Sequence, residues 1–163
     1  MDFDFIKKTI NITDNETKLN LPEELIENKL FIGYAGIPSI ATKINGKKVW
    51  NFTVDFGFNG GINIPFSEFE KQVENGKISD YIKSKNQGVT GIYGQQDKIR
   101  ESYIGTINEI EFGNSILKKE KVYSEQYLEH LFGLEFFRDY RVIINWNTKK
   151  IKMIENKEKT NLK

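Results

Sequence analysis

Two apolar-rich runs, Ile37 to Ile44 and Lys47 to Val54, flank Asn45-Gly46. Both residues of that pair accept positive φ, so the combination predicts a tight β-hairpin. In the second run Trp50, Phe52 and Val54 alternate and are expected on one face of the strand, with Phe56 continuing it. Asp55 then points to the opposite face, with Thr53. Beyond it the chain reads Phe56-Gly57-Phe58-Asn59-Gly60-Gly61-Ile62-Asn63-Ile64-Pro65. An apolar strand thus runs into a lone aspartate, then a Gly-rich turn, then a second apolar strand. This pattern presents one carboxylate at the tip of a sheet with backbone N–H groups turned toward it. Glycines around it allow close backbone approach and positive φ.

The rest of the pattern predicts strands with short helices between them. Phe3, Phe5, Ile10 and Ile12 alternate like a strand, and Pro22-Glu23-Glu24-Leu25 has the form of a helix start. Ser67 and Glu70 have capping-box spacing; Phe69 and Val73 give the following helix an apolar side, and Asn75-Gly76 ends it. Ile78, Tyr81 and Ile82 have the spacing of a second short helix. A new β section opens at Gly88 to Gly94 and, after polar Gln95 to Lys98, continues through Ile99 to Ile110. Phe112-Gly113-Asn114-Ser115 is a turn before a strand over Ile116 to Tyr123. Tyr140 to Trp146 and Lys149 to Ile154 form a closing hairpin around Asn147-Thr148. The polar segment from residue 155 to 163 reads as a tail.

Composition narrows the chemistry. The 163 residues, 38% of them hydrophobic, suffice for one core. With 24 Lys+Arg against 23 Asp+Glu, the net charge of +1 gives no electrostatic field directed at nucleic acid. Cysteine is absent, which excludes disulfides, thiolate metal sites and a thiol nucleophile. The single histidine, His130, excludes a His-rich metal site, and no nucleophile-elbow pattern accompanies it; a helix-end or surface position is expected. Neither a metal nor a cofactor is implied. No apolar run approaches membrane-spanning length. Met1 to Phe5 lacks the basic-then-apolar form of a signal peptide, leaving a cytoplasmic location, or export after removal of a leader, open. Asp55-Phe56-Gly57 spells the kinase magnesium-binding triplet, but the other kinase motifs are missing.

The stretch around Asp55 resembles the active-site motif of the retropepsin-like aspartic peptidases, where Asp-Thr/Ser-Gly follows one hydrophobic strand and precedes another. His130-Leu131-Phe132-Gly133-Leu134-Glu135-Phe136-Phe137 is similar to that family's hydrophobic-hydrophobic-Gly element and the short helix after it. The resemblance implies an all-β fold with short helices, a closed acid-protease β-barrel. It covers residues 31–154, after an N-terminal extension (1–30) and before the tail (155–163). It implies that Leu131-Phe132-Gly133 crosses behind the catalytic loop, and that Gly91-Ile92-Tyr93-Gly94 belongs to a flap that closes over an extended peptide. Phe58 and Ile92 would line apolar subsites. At the middle of the triplet stands Phe56, where the family has a hydroxyl that ties two catalytic loops together across a two-fold axis.

Aspartic peptidases use two carboxylates sharing one proton, since like charges so close cannot both ionise. One activates water as general base while the protonated partner polarises the scissile carbonyl. No second Asp-x-Gly with comparable context occurs, so the dyad requires a second copy of the chain, an isologous homodimer with Asp55 from each. The expected function is an aspartic-type endopeptidase acting on peptide or protein substrates, its Asp55 carboxylates oriented by the Gly57 and Phe58 N–H groups. The alternatives are a binding or scaffolding module of the same fold that lost turnover through Phe56, and a β-barrel small-ligand binder without catalytic ancestry.

Overall fold

Strands dominate the computed structural model, which describes residues 1–87, 99–125 and 128–155. In chain order they are β1 (Asp2–Asp4), β2 (Thr9–Asn11), β3 (Ile26–Ile32), β4 (Pro38–Ile44), β5 (Lys47–Val54) and β6 (Ile62–Asn63). After the helix α1 (Phe66–Glu74) come β7 (Ile78–Gln87), β8 (Ile99–Phe112), β9 (Ser115–Glu125) and β10 (Leu131–Phe132). The helix α2 (Leu134–Phe137), β11 (Tyr140–Asn145) and β12 (Lys150–Glu155) complete the order. The sheet runs β2-β1-β11-β12-β3-β4-β5-β10-β6-β9-β8-β7, and an added β4–β8 pairing closes its six strands β4, β5, β10, β6, β9 and β8 into a barrel.

Closure is fastened at the β4–β5 hairpin. Asn45 (φ 47°) and Gly46 (φ 83°) make the tight turn that their identities predict. The Asn45 N–H donates to the Glu109 carbonyl at 2.9 Å, while the Asn45 side-chain oxygen accepts from the Glu109 N–H at 3.1 Å. Alongside, the Thr42 hydroxyl donates to the Glu111 carbonyl, and Lys43 pairs with the Glu111 carboxylate at 2.9 Å. The barrel is filled by fully buried Ile40, Phe52, Ile62, Ile107, Phe112 and Phe132.

Four local expectations are corrected. Trp50 does not share the face of Phe52 and Val54. Pairing passes from Ile40–Phe52 to Thr42–Val49, so Trp50 and Asn51 together oppose Ala41, and this bulge shifts the alternation by one residue. Trp50 lies exposed with the Lys48 ammonium 3.6 Å from its ring centroid. The helical spacing of Ile78, Tyr81 and Ile82 arises the same way: they lie in β7, where a second bulge between Ser79 and Ile82 adds a residue and Asp80 takes φ 50°. The capping box is not formed. Pro65 occupies the N-cap of α1, and Glu70 accepts from the Tyr103 hydroxyl at 3.3 Å instead. Pro22 to Leu25 start no helix. Asn114, in the β8–β9 turn, bonds the Leu25 carbonyl and the Glu27 N–H and draws the segment into β3.

Residues 1–30 join the sheet closely. β1 pairs with β11 and with β2, and β3 lies between β12 and β4, so the boundary drawn at residue 30 falls inside a strand. Asp2, fully buried, accepts two bonds from Arg141 at 2.9 and 3.0 Å and one from Asn11 at 3.1 Å. Burial opposes the Asp2 charge, but these bonds and the Arg141 charge outweigh it and hold the carboxyl below its ordinary range. Of the tail, only Glu155 lies among the described residues.

Candidate active site at the Asp55 loop

β10 lies between the two strands that flank Asp55. It runs parallel to β5, with Leu131 beside Thr53 and Phe132 beside Val54, and antiparallel to β6, with Leu131 beside Asn63 and Phe132 beside Ile62. The connection from β5 to β6 therefore has to arch over the end of β10. Four backbone bonds hold the arch: Asp55 N–H to the Phe132 carbonyl (2.9 Å), Gly133 N–H to Gly61 (2.7 Å), Leu134 N–H to Phe58 (2.7 Å) and Glu135 N–H to Gly60 (3.1 Å). The N–H groups entering α2 thus receive the carbonyls of the arch. Such groups have no partner within their own helix and need one outside it.

The glycines act here through close approach. Gly57, Gly60 and Gly61 are not among the residues with positive φ, contrary to one part of the expectation. A Cβ on Gly60 would fall 2.4 Å from the Phe58 ring, and one on Gly133 would fall 2.3 Å from the Gly60 carbonyl oxygen and 2.7 Å from that of Phe58.

Asp55 itself is exposed at the crest of the arch. The Gly57 N–H donates to its Oδ1 at 2.8 Å. The Phe58 N–H, expected on the carboxylate too, donates instead to the Asp55 backbone carbonyl at 3.3 Å, because the chain turns tightly there. The result is an exposed carboxylate with one oxygen held by a backbone N–H. Phe56 turns away from it into its own chain, with ring centroids 4.8 Å from Phe3, 5.7 Å from Phe5 and 5.1 Å from Phe137. Leu131, Phe132 and Gly133 are all buried beneath the arch. Gly91, Ile92, Tyr93 and Gly94, assigned to a flap, lie outside the described residues.

His130 precedes this element and is neither a helix end nor a surface residue. Its carbonyl accepts from Thr53 N–H at 3.0 Å, and its Nε2 lies 3.0 Å from Glu68 Oε2 on α1. The hydrogen bond from His130 holds the Glu68 carboxyl below its ordinary value of 4.5, against the opposing effect of burial. Because folded Glu68 binds its proton less readily than the unfolded chain does, its contribution to stability is complete above that value. It drains away as pH falls through the lower folded value. Glu68→Gln is expected to lower the melting temperature at pH 7, with the difference from wild type shrinking below about pH 4. A difference that persisted unchanged in acid would show that charge is not what Glu68 contributes.

Concavities lie elsewhere on the single chain. One of about 880 Å³ is lined by residues such as Ile6, Pro22, Leu25 and Met153. One of about 280 Å³ lies behind Gly61, with Glu120, Glu135, Asp139 and Tyr140 in its wall. There burial, with the charges of Glu120, Glu155 and Asp139, pushes the Tyr140 hydroxyl up to about 12, and burial with Asp139 raises Glu120. Asp55 lines neither of these two cavities.

The arrangement of Glu135 had no signal in the sequence. Its N–H holds the arch, and its carboxylate accepts from the Tyr123 hydroxyl and pairs with Lys121 at 3.5 Å. Phe3 and Phe5 were legible as strand residues, but their contact with Phe56 spans more than fifty positions. No family model and no curated protein sequence matches the chain.

Proposed function

We propose that the chain is one half of a retropepsin-like aspartic endopeptidase, with Asp55 from each of two copies forming the catalytic dyad. The observation that carries this reading is the strand β10 inserted between β5 and β6 beneath an arch whose crest is an exposed carboxylate held by a backbone N–H. Two such carboxylates across a two-fold axis share one proton. The ionised one removes a proton from water, and the neutral one donates to the carbonyl oxygen of the peptide bond as the tetrahedral centre forms. No metal or cofactor enters this chemistry.

A surface suited to a second copy adjoins the arch. The residues from Phe31 to Ile37 are all exposed and carry no charge, and Tyr34 at the hairpin tip is fully exposed. Ser39 pairs with Thr53, so Ile37 stands two positions further along, beside Asp55. A contiguous uncharged apolar segment of this kind marks an interaction surface. Tyr34→Asp is expected to weaken self-association at least about tenfold, since aromatic residues dominate such contacts and a buried unpaired charge opposes them. Sedimentation velocity over a concentration series measures it, and an unchanged monomer–dimer distribution would remove this surface from the interface.

The binding-module reading is favoured by one observation: the Phe56 ring is engaged by its own chain and so is not offered to a second loop, and phenylalanine has no hydroxyl that could tie two loops together. Incubating the protein with a peptide library at mildly acidic pH separates the two. Cleavage that depends on Asp55 supports the peptidase, and peptide binding without turnover supports the module.

A further inference from the structure

The Asp55 arch is gripped on two sides. Below it, β10 and α2 supply the backbone bonds already described. Beside it, Phe56 is inserted between Phe137 of α2 and the hairpin of β1 and β2, where Phe3 and Phe5 stack on each other at 6.3 Å and both meet its ring. The hairpin is itself anchored. The buried Asp2–Arg141 pair holds β1, the Ile144 N–H donates to the Met1 carbonyl at 2.8 Å, and the Lys7 N–H donates to Asp4 at 3.0 Å. The aromatic wedge bears directly on the direction of the carboxylate, because Phe56 is the residue bonded to Asp55.

We propose that Phe3 and Phe5 are positioning residues for Asp55. Through Phe56 the N-terminal hairpin fixes the carboxylate in the direction it needs, a task that elsewhere falls to hydrogen bonds between two catalytic loops. Aromatic contacts supply cohesion rather than direction. Here direction comes from three rings, two on the N-terminal hairpin and one on α2, meeting one. The inference concerns the arch and rests on the peptidase reading only for its effect on rate.

The test is amide hydrogen exchange on Phe5→Ala, Phe5→Leu and wild type, each as the full chain. Phe5 is only partly buried, in the turn of the hairpin, so its truncation spares the barrel. In Phe5→Ala the amides of Gly57, Phe58 and Leu134 are expected to exchange about tenfold faster or more, with those of Ile107 and Ile110 in β8 unchanged and Phe5→Leu intermediate. Where wild type cleaves peptide, kcat falls in the same order while KM holds. Exchange at Gly57 and Phe58 that does not change, or that rises equally throughout β8, overturns the proposal. An inactive wild type with the local exchange pattern intact would count against the peptidase reading and leave the clamp standing.

Discussion

Asp55→Asn is expected to reduce peptide cleavage by about a thousandfold or more, the scale of positioned acid–base catalysis, while leaving the fold intact. The substitution keeps the side-chain shape and an oxygen that can accept from the Gly57 N–H, so the turn at 2.8 Å survives. What it removes is the ionisable group, and with it the shared proton. Because the side chain is exposed, thermal stability should stay within about 0.5 kcal/mol of wild type. The two readouts belong together. A variant that lost activity by unfolding would say nothing about chemistry, whereas one that melts like wild type and fails to cleave assigns the reaction to the carboxylate. Retained cleavage in a well-folded Asp55→Asn protein would place the active site elsewhere.

Gly133→Ala is expected to be the most damaging single-methyl change near the site. The backbone of Gly133 takes φ −101°, which alanine accepts, so conformational strain is not the cause. The added Cβ would sit 2.3 Å from the Gly60 carbonyl oxygen and 2.5 Å from the Phe58 ring. Those atoms belong to the arch and are held by bonds from Leu134 and Glu135, so relief requires lifting the arch off β10. The expected cost is about 3 kcal/mol, at the upper end for overpacking, read as a lowered denaturation midpoint. Activity should fall further than stability alone explains, since the displaced arch carries Asp55. A stability equal to wild type would mean that the arch is looser than the contacts imply.

Much of the fold was legible because its signals are local. Asn45-Gly46 states its own turn type, Asn75-Gly76 states a helix end, and the final hairpin shows in two apolar-rich runs on either side of Asn147-Thr148. The errors have two physical sources. A bulge adds a residue without changing composition, so Trp50 left its anticipated face and Ile78, Tyr81 and Ile82 took on a helical spacing inside a strand. The capping box and the helix start at Pro22 failed to tertiary partners, Tyr103 and Asn114, that no window of neighbouring residues contains.

At the site, Asp55 stood out because the glycines after it allow close backbone approach, and Leu131-Phe132-Gly133 through the resemblance alone. In the folded chain Gly133 also makes a close approach, its missing side chain leaving room for the carbonyls of Phe58 and Gly60. Glu135 and the pair Phe3 and Phe5 were silent, since an ordinary helix glutamate and ordinary strand phenylalanines acquire their roles only when distant segments meet. Phe56 was read as a gap where a hydroxyl belonged. In the folded chain its ring is the hub on which three others, Phe3, Phe5 and Phe137, converge.

The account stands on the claim that each polypeptide contributes one carboxylate to a dyad shared by two. Mixing wild type with increasing amounts of Asp55→Asn protein, at constant total concentration and after subunit exchange, tests it directly. A shared dyad makes cleavage fall with the square of the wild-type fraction, because only pairs of wild-type chains are competent. Cleavage falling in simple proportion to that fraction would mean that one chain suffices, and would contradict the claim.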